Sequence, residues 1–396
     1  MTSNRRAPAL VPTLPGRAYS DPEFFALERE RLFARSWSAV ALAADVAPGS
    51  LVEVELAGES VLVLRDHSGA VRSFFNVCRH RGSQLCTETS GALERFIRCP
   101  YHAWTYALDG RLIAGPGIKS MEAAGLEGFG LEPVATHVWQ GQIWCCLDPR
   151  PPSFDESVVA QAERRLGSLA VLDRYGLDEL VLASRRTYEV AANWKLLIEN
   201  FMECYHCATI HPELTNTLPE FRTGVGTQNQ PGSSAAFADT VEAFTLSGRG
   251  GLGLLPGLSP DDYRRYYGMT LLPQVFFNLL PDHVVVHRMR PVAVDRSVIV
   301  CDWLVERGQP ASPAYAPQDT IALFDRVNLQ DFVACERCQK NMSSRLYAGG
   351  GVLAATEHHL AVFHSYVLDA VGATPGTLGI APGPSATLDR LENDRC

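Results

Sequence analysis

Two short stretches, CRHRGSQLC at 78–86 and CPYHAWTY at 99–106, each open on a cysteine with a histidine close behind: Cys78 with His80, and Cys99 with His102. Two thiolates and two imidazoles could hold zinc or an iron–sulfur cluster. Common zinc fingers pair Cys with Cys and His with His, whereas here each loop offers one of each. That alternation suits a [2Fe–2S] centre with thiolates on one iron and imidazoles on the other. Neutral imidazoles lower the cluster's negative charge and raise its potential. Gly82 and Pro100 let the loops close on such a cluster, while Cys86 lies beyond the paired pattern and reads as a core residue.

Outward from these loops, residues 38–150 run in short alternating segments such as LVEVEL, SVLVLR and GQIWCCL, separated by Gly, Pro and the Asp-Gly turn of LDGRL. This is the texture of a small all-β domain. Before it, residues 1–37 read as a loose arm and a helix over 21–37, with Asp21 as N-cap and Pro22 in the first turn. After it, DPRPPSFDES at 148–157 is a Pro-rich joint to a second domain over 151–396. There, helices are expected at 193–210, 318–346 and 356–371. QVFFNLL and HVVVHRMRPV pair through the LPDH turn, SVIVCDWLV adds a strand, and 222–260 reads as a long mobile loop lying over something. The whole is α+β, its second sheet antiparallel.

The second domain carries its own constellation, ENFMECYHCATIHPEL at 199–214. His206 and His211 are five apart, so on an unbroken helix they would diverge by about 140°. They meet at one ion only if the helix stops between them, and Pro212 disfavours helical backbone at His211. Two His and a distant carboxylate make the facial triad of a non-haem Fe(II) oxygenase, with positions left open for O2 and substrate. Asp331 in NLQDFVACERCQ is the chosen carboxylate, and Asp325 and Glu336 are its competitors. His359 and His364 repeat the five-residue spacing as a decoy. The Cys204/Cys207 and Cys335/Cys338 pairs have C-x-x-C spacing without a βαβ context, and read as packing residues.

Together, the paired Cys–His loops followed by N-W-K, E-N-F, an acidic residue, Y-H and H-P resemble the catalytic α-subunit of Rieske non-haem iron oxygenases, over about residues 22 to 370. The resemblance implies a Rieske domain set in a helix-grip catalytic domain, usually assembled as a homotrimer. It implies a [2Fe–2S] cluster on Cys78, His80, Cys99 and His102, and a mononuclear iron on His206, His211 and Asp331. Glu203 would then connect His102 of a neighbouring subunit to His206 as an electron bridge. Most ring-hydroxylating members carry Asp there; this chain has Glu, with one residue fewer between Asn200 and the acid.

That departure resembles a subgroup acting on quaternary ammonium compounds such as glycine betaine, proline betaine, carnitine and choline. YYGMTLLPQVFFNLLPDHVVVH also resembles the strand pair of the betaine members, although Gln274 and His283 depart from their Pro-Asn and Pro-Asp-Tyr pattern. The implied reaction is oxidative N-demethylation, releasing formaldehyde. A cationic substrate favours aromatic faces: Phe201 is the first pocket candidate, with Tyr266, Phe276 and Phe277 after it. Arg288 is a candidate anchor for a substrate carboxylate. The alternatives are a Rieske oxygenase acting on an arene or other hydrophobic substrate, and a Rieske electron carrier, which the large second domain disfavours.

Bulk composition sets the outer limits. A chain of 396 residues holds two or three domains with a sizeable core. Net charge −9 argues against nucleic acid or an anionic membrane as partner, and no apolar run approaches a membrane span. No apolar stretch follows the N-terminal arginines, so a secretory signal is not expected. The eleven cysteines, scattered and odd in number, fit a reducing cytoplasm. No flavin or nicotinamide motif is evident, so electrons are expected from a separate NAD(P)H-dependent flavin/iron–sulfur reductase.

Overall fold

The computed structural model describes residues 10–118, 126–226, 231–250, 252–313, 315–374 and 376–378. The first nine residues of the expected arm, residues 379–396, and 227–230 and 251 of the expected loop lie outside the described residues. Among the described residues no helix is long and apolar enough to cross a membrane.

The alternating segments between 38 and 146 build a seven-stranded sheet. Its order is Ser38–Leu42, Gln142–Cys146, Pro133–Trp139, Val71–Phe75, Glu59–Arg65, Ser50–Leu56 and Ser90–Ala92. A smaller three-stranded sheet, Phe96–Arg98, Thr105–Ala107 and Leu112–Ala114, carries the second Cys–His stretch at its first turn. The Asp-Gly turn closes this sheet: Gly110 takes φ 90°, a conformation that favours glycine, and Ala107 N–H donates to Arg111 O at 2.8 Å. Leu62, Leu64, Phe74, Cys78, Cys99 and Tyr106 share one apolar cluster, which ties both Cys-bearing loops to the larger sheet. Cys86 lies at the half-buried rim of this cluster rather than inside it, with its thiol donating to Glu88 O.

The second sheet has six antiparallel strands in the order Val181–Val190, Arg296–Val305, Val284–Ala293, Val275–Leu279, Arg265–Leu271 and Ala235–Ala236. The expected LPDH turn is present, with Leu280 N–H donating to His283 O at 3.1 Å. Because side chains alternate across a strand, neighbours go to opposite faces. Phe276 and Met289 join the cluster under the Trp194–Met202 helix, whereas Phe277, Val284 and Val286 pack on the other face. The 22-residue helix Gln318–Gln339 contributes Leu323, Phe324 and Val327 to the cluster that holds Val285 and Trp303.

Several helix bounds differ from expectation. The N-terminal helix is Pro22–Glu28, capped by Asp21 as expected, and continues as a wider π turn to Phe33. The long helix ends at Gln339, and the last one starts at Leu360 after a single 3-10 turn. Most consequential, 193–210 is not one helix. Trp194–Met202 ends as Glu203 turns extended (φ −122°, ψ 169°), and a four-residue turn, Cys207–Ile210, follows. The described part of the 222–260 stretch is irregular apart from the Ala235–Ala236 strand, and it is anchored rather than loose. Phe237, Val241 and Phe244 are buried, and Arg264 clamps the carbonyls of Val241 and Ala238 at 2.8 and 2.6 Å.

The N-terminal segment holds the start of the site helix. Lys195 and Glu28 are both fully buried, 2.6 Å apart, and Trp194 Nε1–H donates to the other Glu28 oxygen at 3.0 Å. Burial pushes Glu28 up and Lys195 down, while their mutual attraction opposes both shifts. Removing one partner leaves an uncompensated buried charge. Glu28→Ala is therefore expected to lower unfolding stability by about 3–5 kcal/mol in a denaturant titration. The double variant Glu28→Gln/Lys195→Met is expected to lose markedly less.

Candidate metal centres

The two Cys–His loops share one backbone construction. Cys78 O accepts from Gly82 N–H (3.0 Å) and Cys78 N–H donates to Ser83 O (2.8 Å); Cys99 O accepts from Ala103 N–H (3.1 Å) and Cys99 N–H donates to Trp104 O (2.8 Å). In each, the fifth residue is left-handed, Gly82 at φ 73° and Ala103 at φ 54°. Both sulfurs are buried, while His80 is exposed and His102 half-buried. The imidazoles meet edge to face with centroids 4.7 Å apart, and His80 stacks on Trp104 at 4.8 Å. His102 Nδ1 is buried without a hydrogen-bond partner, as an iron ligand atom would be. The buried Tyr106 hydroxyl lies 3.2 Å from Cys78 Sγ and accepts from Arg79 N–H at 3.1 Å. Burial raises the Cys78 thiol. It also acts on Cys99, but the N–H groups of Tyr101 and His102 at its sulfur bring that thiol below its ordinary value. Thiols inside, imidazoles outside and an orphaned ring nitrogen fit a [2Fe–2S] cluster.

The second constellation is assembled by the broken helix. Glu203 Oε2 accepts from the N–H groups of Tyr205 and His206, capping the new turn, and Glu203 Oε1 bonds His206 Nδ1. His211 N–H closes the turn on Cys207 O at 3.0 Å, and His211 takes φ −121°, ψ 65° ahead of Pro212. The chain therefore leaves the helix before His206 as well as after it. The two rings end 5.1 Å apart at 78°.

Asp331, from the middle of the long helix, reaches both: its Oδ1 lies 2.8 Å from His211 Nε2 and 3.3 Å from His206 Nε2. One donor atom from each of the three residues lies within 4.8 Å of the others. The remaining ring nitrogens are taken, His206 Nδ1 by Glu203 and His211 Nδ1 by Gln330 at 2.7 Å. Both Nε2 atoms are thereby presented, the arrangement in which outer partners orient metal-binding imidazoles. Burial disfavours charge on His206, but Asp331 and Glu203 hold its pKa up to about 10. Burial raises Asp331, and the two imidazoles pull it below the usual carboxylate range. Iron binding would displace the His206 proton, and two imidazoles with a carboxylate fit a mononuclear Fe(II).

The competitors are committed elsewhere. Asp325 bonds Arg186 and Tyr188 (3.0 and 2.6 Å), and Glu336 accepts from Ala191 N–H. The decoys are also occupied: His359 reaches Met202 O and His364 reaches Glu199. Cys204 and Cys207 pack in the core as expected, but they are also joined as a disulfide. Their Cα atoms lie 4.9 Å apart. Cys335 is buried and Cys338 exposed, both as free thiols.

Beside the triad lies a narrow cavity of about 60 Å³. Phe201 and Tyr266 line it, with Phe221, Phe244 and Phe324 as further aromatic walls that sequence reasoning missed. Phe244 comes from the irregular stretch, where no periodicity marks it. Phe276 does not line the cavity; it backs Phe201 at 4.5 Å. Phe277 is on the opposite face of the sheet. Arg288 is not an anchor here either. It faces the other domain, bonding Gln142 at 2.7 Å and Asp302 at 2.6 Å. Asn200 and Gln330, which bond Asp331 and His211, carry no spacing signal that would have selected them.

Comparison with known proteins agrees with this geometry. Residues 36–130 match the Rieske [2Fe-2S] domain, and residues 177–373 match the ring hydroxylating alpha subunit (catalytic domain). The chain belongs to the Rieske non-haem iron oxygenases, and is an oxidoreductase subunit using a Rieske [2Fe–2S] cluster and a mononuclear non-haem iron. It is 30% identical to the glycine betaine monooxygenase oxygenase subunit of Chromohalobacter salexigens, over 85% of this chain and 81% of the relative. It is 32% identical to the carnitine monooxygenase oxygenase subunit of Acinetobacter baumannii, over 91% and 95%. The crystal structure of the quaternary ammonium Rieske monooxygenase CntA with substrate gamma-butyrobetaine superposes with a TM-score of 0.71 at 25% identity, covering 92% of this chain and 97% of that one. Naphthalene 1,2-dioxygenase from Rhodococcus sp. shares the fold, with a TM-score of 0.70 at 19% identity over 91% and 95%.

Hydrogen bonds to cluster sulfurs raise the potential. Tyr106→Phe, which removes the hydroxyl beside Cys78 Sγ, is expected to lower the cluster's reduction potential by on the order of tens of millivolts. A redox titration followed by electron paramagnetic resonance checks this; an unchanged potential would mean that the hydroxyl does not act on the sulfur.

Proposed function

We propose that this chain is the terminal oxygenase of a monooxygenase system that hydroxylates an N-methyl group of a quaternary ammonium compound of the betaine type. The resulting hemiaminal expels formaldehyde and leaves a tertiary amine. The observation that carries the reading is the triad His206, His211 and Asp331 set against an aromatic-walled cavity. Among the described residues no Lys or Arg lines that cavity. Aromatic faces attract an onium head by about 0.5–2 kcal/mol each. The names of the glycine betaine and carnitine relatives support the same substrate class.

In this reading His206, His211 and Asp331 hold the iron, and Cys78, His80, Cys99 and His102 hold the cluster. The cluster supplies electrons singly, and the iron, when bound, activates O2. The remaining side chains position these groups. Glu203 accepts the His206 Nδ1 proton and fixes that ring, Gln330 does the same for His211, and Asn200 steadies Asp331 with a bond of 3.1 Å. Phe201 and Tyr266 seat the substrate head. Glu203 further serves as the electron bridge to His102 of a neighbouring copy, in a homotrimer whose cluster domain spans about 38–150 and whose iron domain spans 151–396. The cytoplasm is its compartment, and a separate NAD(P)H-dependent flavin/iron–sulfur reductase its electron donor.

The test is reconstitution with such a reductase and NAD(P)H, with formaldehyde measured from glycine betaine, proline betaine, carnitine and choline. At least one is expected to yield formaldehyde in step with NAD(P)H oxidation. Hydroxylation of an arene with no formaldehyde from any N-methyl compound would replace this reading with the arene one. His206→Ala is expected to abolish turnover, lose the mononuclear iron and keep the Rieske absorption. Glu203→Gln is expected to keep both metals and slow single-turnover electron transfer by on the order of tenfold or more, the range for an outer partner of a metal ligand.

A further inference from the structure

The polar wall of the cavity has a fixed hydrogen-bond direction. Asn278 Nδ2 faces the Val285 carbonyl at 3.3 Å, and a carbonyl can only accept. The amide oxygen therefore faces the Tyr266 hydroxyl at 2.7 Å, which has to donate. The other amide proton points at His287 Nδ1, 3.2 Å away, so that nitrogen accepts and Nε2 carries the ring proton. His287 Nε2–H in turn donates to Asn328 Oδ1 at 3.1 Å, and Asn328 Nδ2 ends the chain on Cys301 Sγ at 3.7 Å. His287 is fully buried, and that burial keeps the ring neutral by pushing its pKa down to about 4.

Tyr266 has one hydroxyl proton, and Asn278 takes it. Toward the cavity Tyr266 offers only lone pairs and its ring face. A trimethylammonium head, with a positive surface and no acceptor, complements this wall. A carboxylate held close to the head meets lone pairs rather than a proton at the Tyr266 hydroxyl, which costs affinity.

We propose that this polarised chain, running from Tyr266 through Asn278 and His287 to Asn328, makes Tyr266 an acceptor rather than a donor toward the cavity, and so selects onium substrates whose anionic group, if any, lies well away from the nitrogen. The inference rests on the N-demethylase reading and narrows it. Choline has no anion, and carnitine carries its carboxylate at the end of a longer chain; glycine betaine holds its carboxylate one methylene from the nitrogen. Asn278, His287 and Asn328 are positioning residues in this scheme, acting through Tyr266.

Isothermal titration of the holoenzyme with tetramethylammonium, choline and glycine betaine tests it. The first two are expected to bind at least about tenfold more tightly than glycine betaine, a factor that corresponds to about 1.4 kcal/mol. In Asn278→Leu the Tyr266 hydroxyl is freed to donate into the cavity, and the ratio shifts toward glycine betaine by about tenfold or more. Tyr266→Phe keeps the ring, removes the acceptor and narrows the ratio in the same direction, so the test survives if the first variant misfolds. A purely structural role for Asn278 would weaken all three ligands alike. Glycine betaine binding more tightly than tetramethylammonium, or a ratio unchanged in both variants, overturns this inference and leaves N-demethylation standing. Failure of every onium compound to bind overturns both.

Discussion

The structure of the iron domain depends on one buried carboxylate. Asp331 is almost fully enclosed, and a charge in that position is tolerable only if it is paired and hydrogen-bonded. Its partners come from different segments: Asn200 at the end of one helix, His206 after a break, and His211 after a further turn. Satisfying a single oxygen forces three points of the chain to converge. The long helix must then lie across the sheet with Asp331 facing inward, which in turn carries Phe324 and Val327 to the cavity wall.

How the chain reaches Asp331 is a matter of local backbone chemistry. Glu203 is both the end of one helix and the cap of the next turn, because its carboxylate takes the N–H groups that a continuing helix would have bonded internally. The same carboxylate orients His206. A shorter acid would reach the backbone groups and the ring less readily at once, which gives the length of this side chain a structural reason independent of any electron path.

Much of this was legible in the residues. The Cys–His alternation picks out two loops that the structure brings together, and the five-residue histidine spacing before Pro212 required a helix break near the place where one occurs. What stayed hidden has physical causes. Spacing cannot show that a helix breaks before His206 as well as after it, and C-x-x-C spacing without a βαβ context does not by itself call for the Cys204–Cys207 disulfide. Composition marked 222–260 as a loop, but its Gly and Ser content concealed that Phe237, Val241 and Phe244 anchor it. Aromatic residues in a buried strand look alike from sequence, and only alternation relative to the finished sheet separates Phe276 from Phe277.

That alternation also divides the labour of the second sheet. Consecutive residues His287 and Arg288 point to opposite faces: His287 extends the hydrogen-bond chain behind the cavity, and Arg288 joins Gln142 of the first domain to Asp302. Asp302 is shared with Arg185, which also bonds Asp45, so the domain contact is a closed set of charges on the face away from the site. The sheet therefore separates a face whose charges join the two domains from a face on which Tyr266 lines the cavity. Arg288 cannot serve both faces: its guanidinium is held where the domain contact requires it, and the cavity is left without a cation for the same geometric reason.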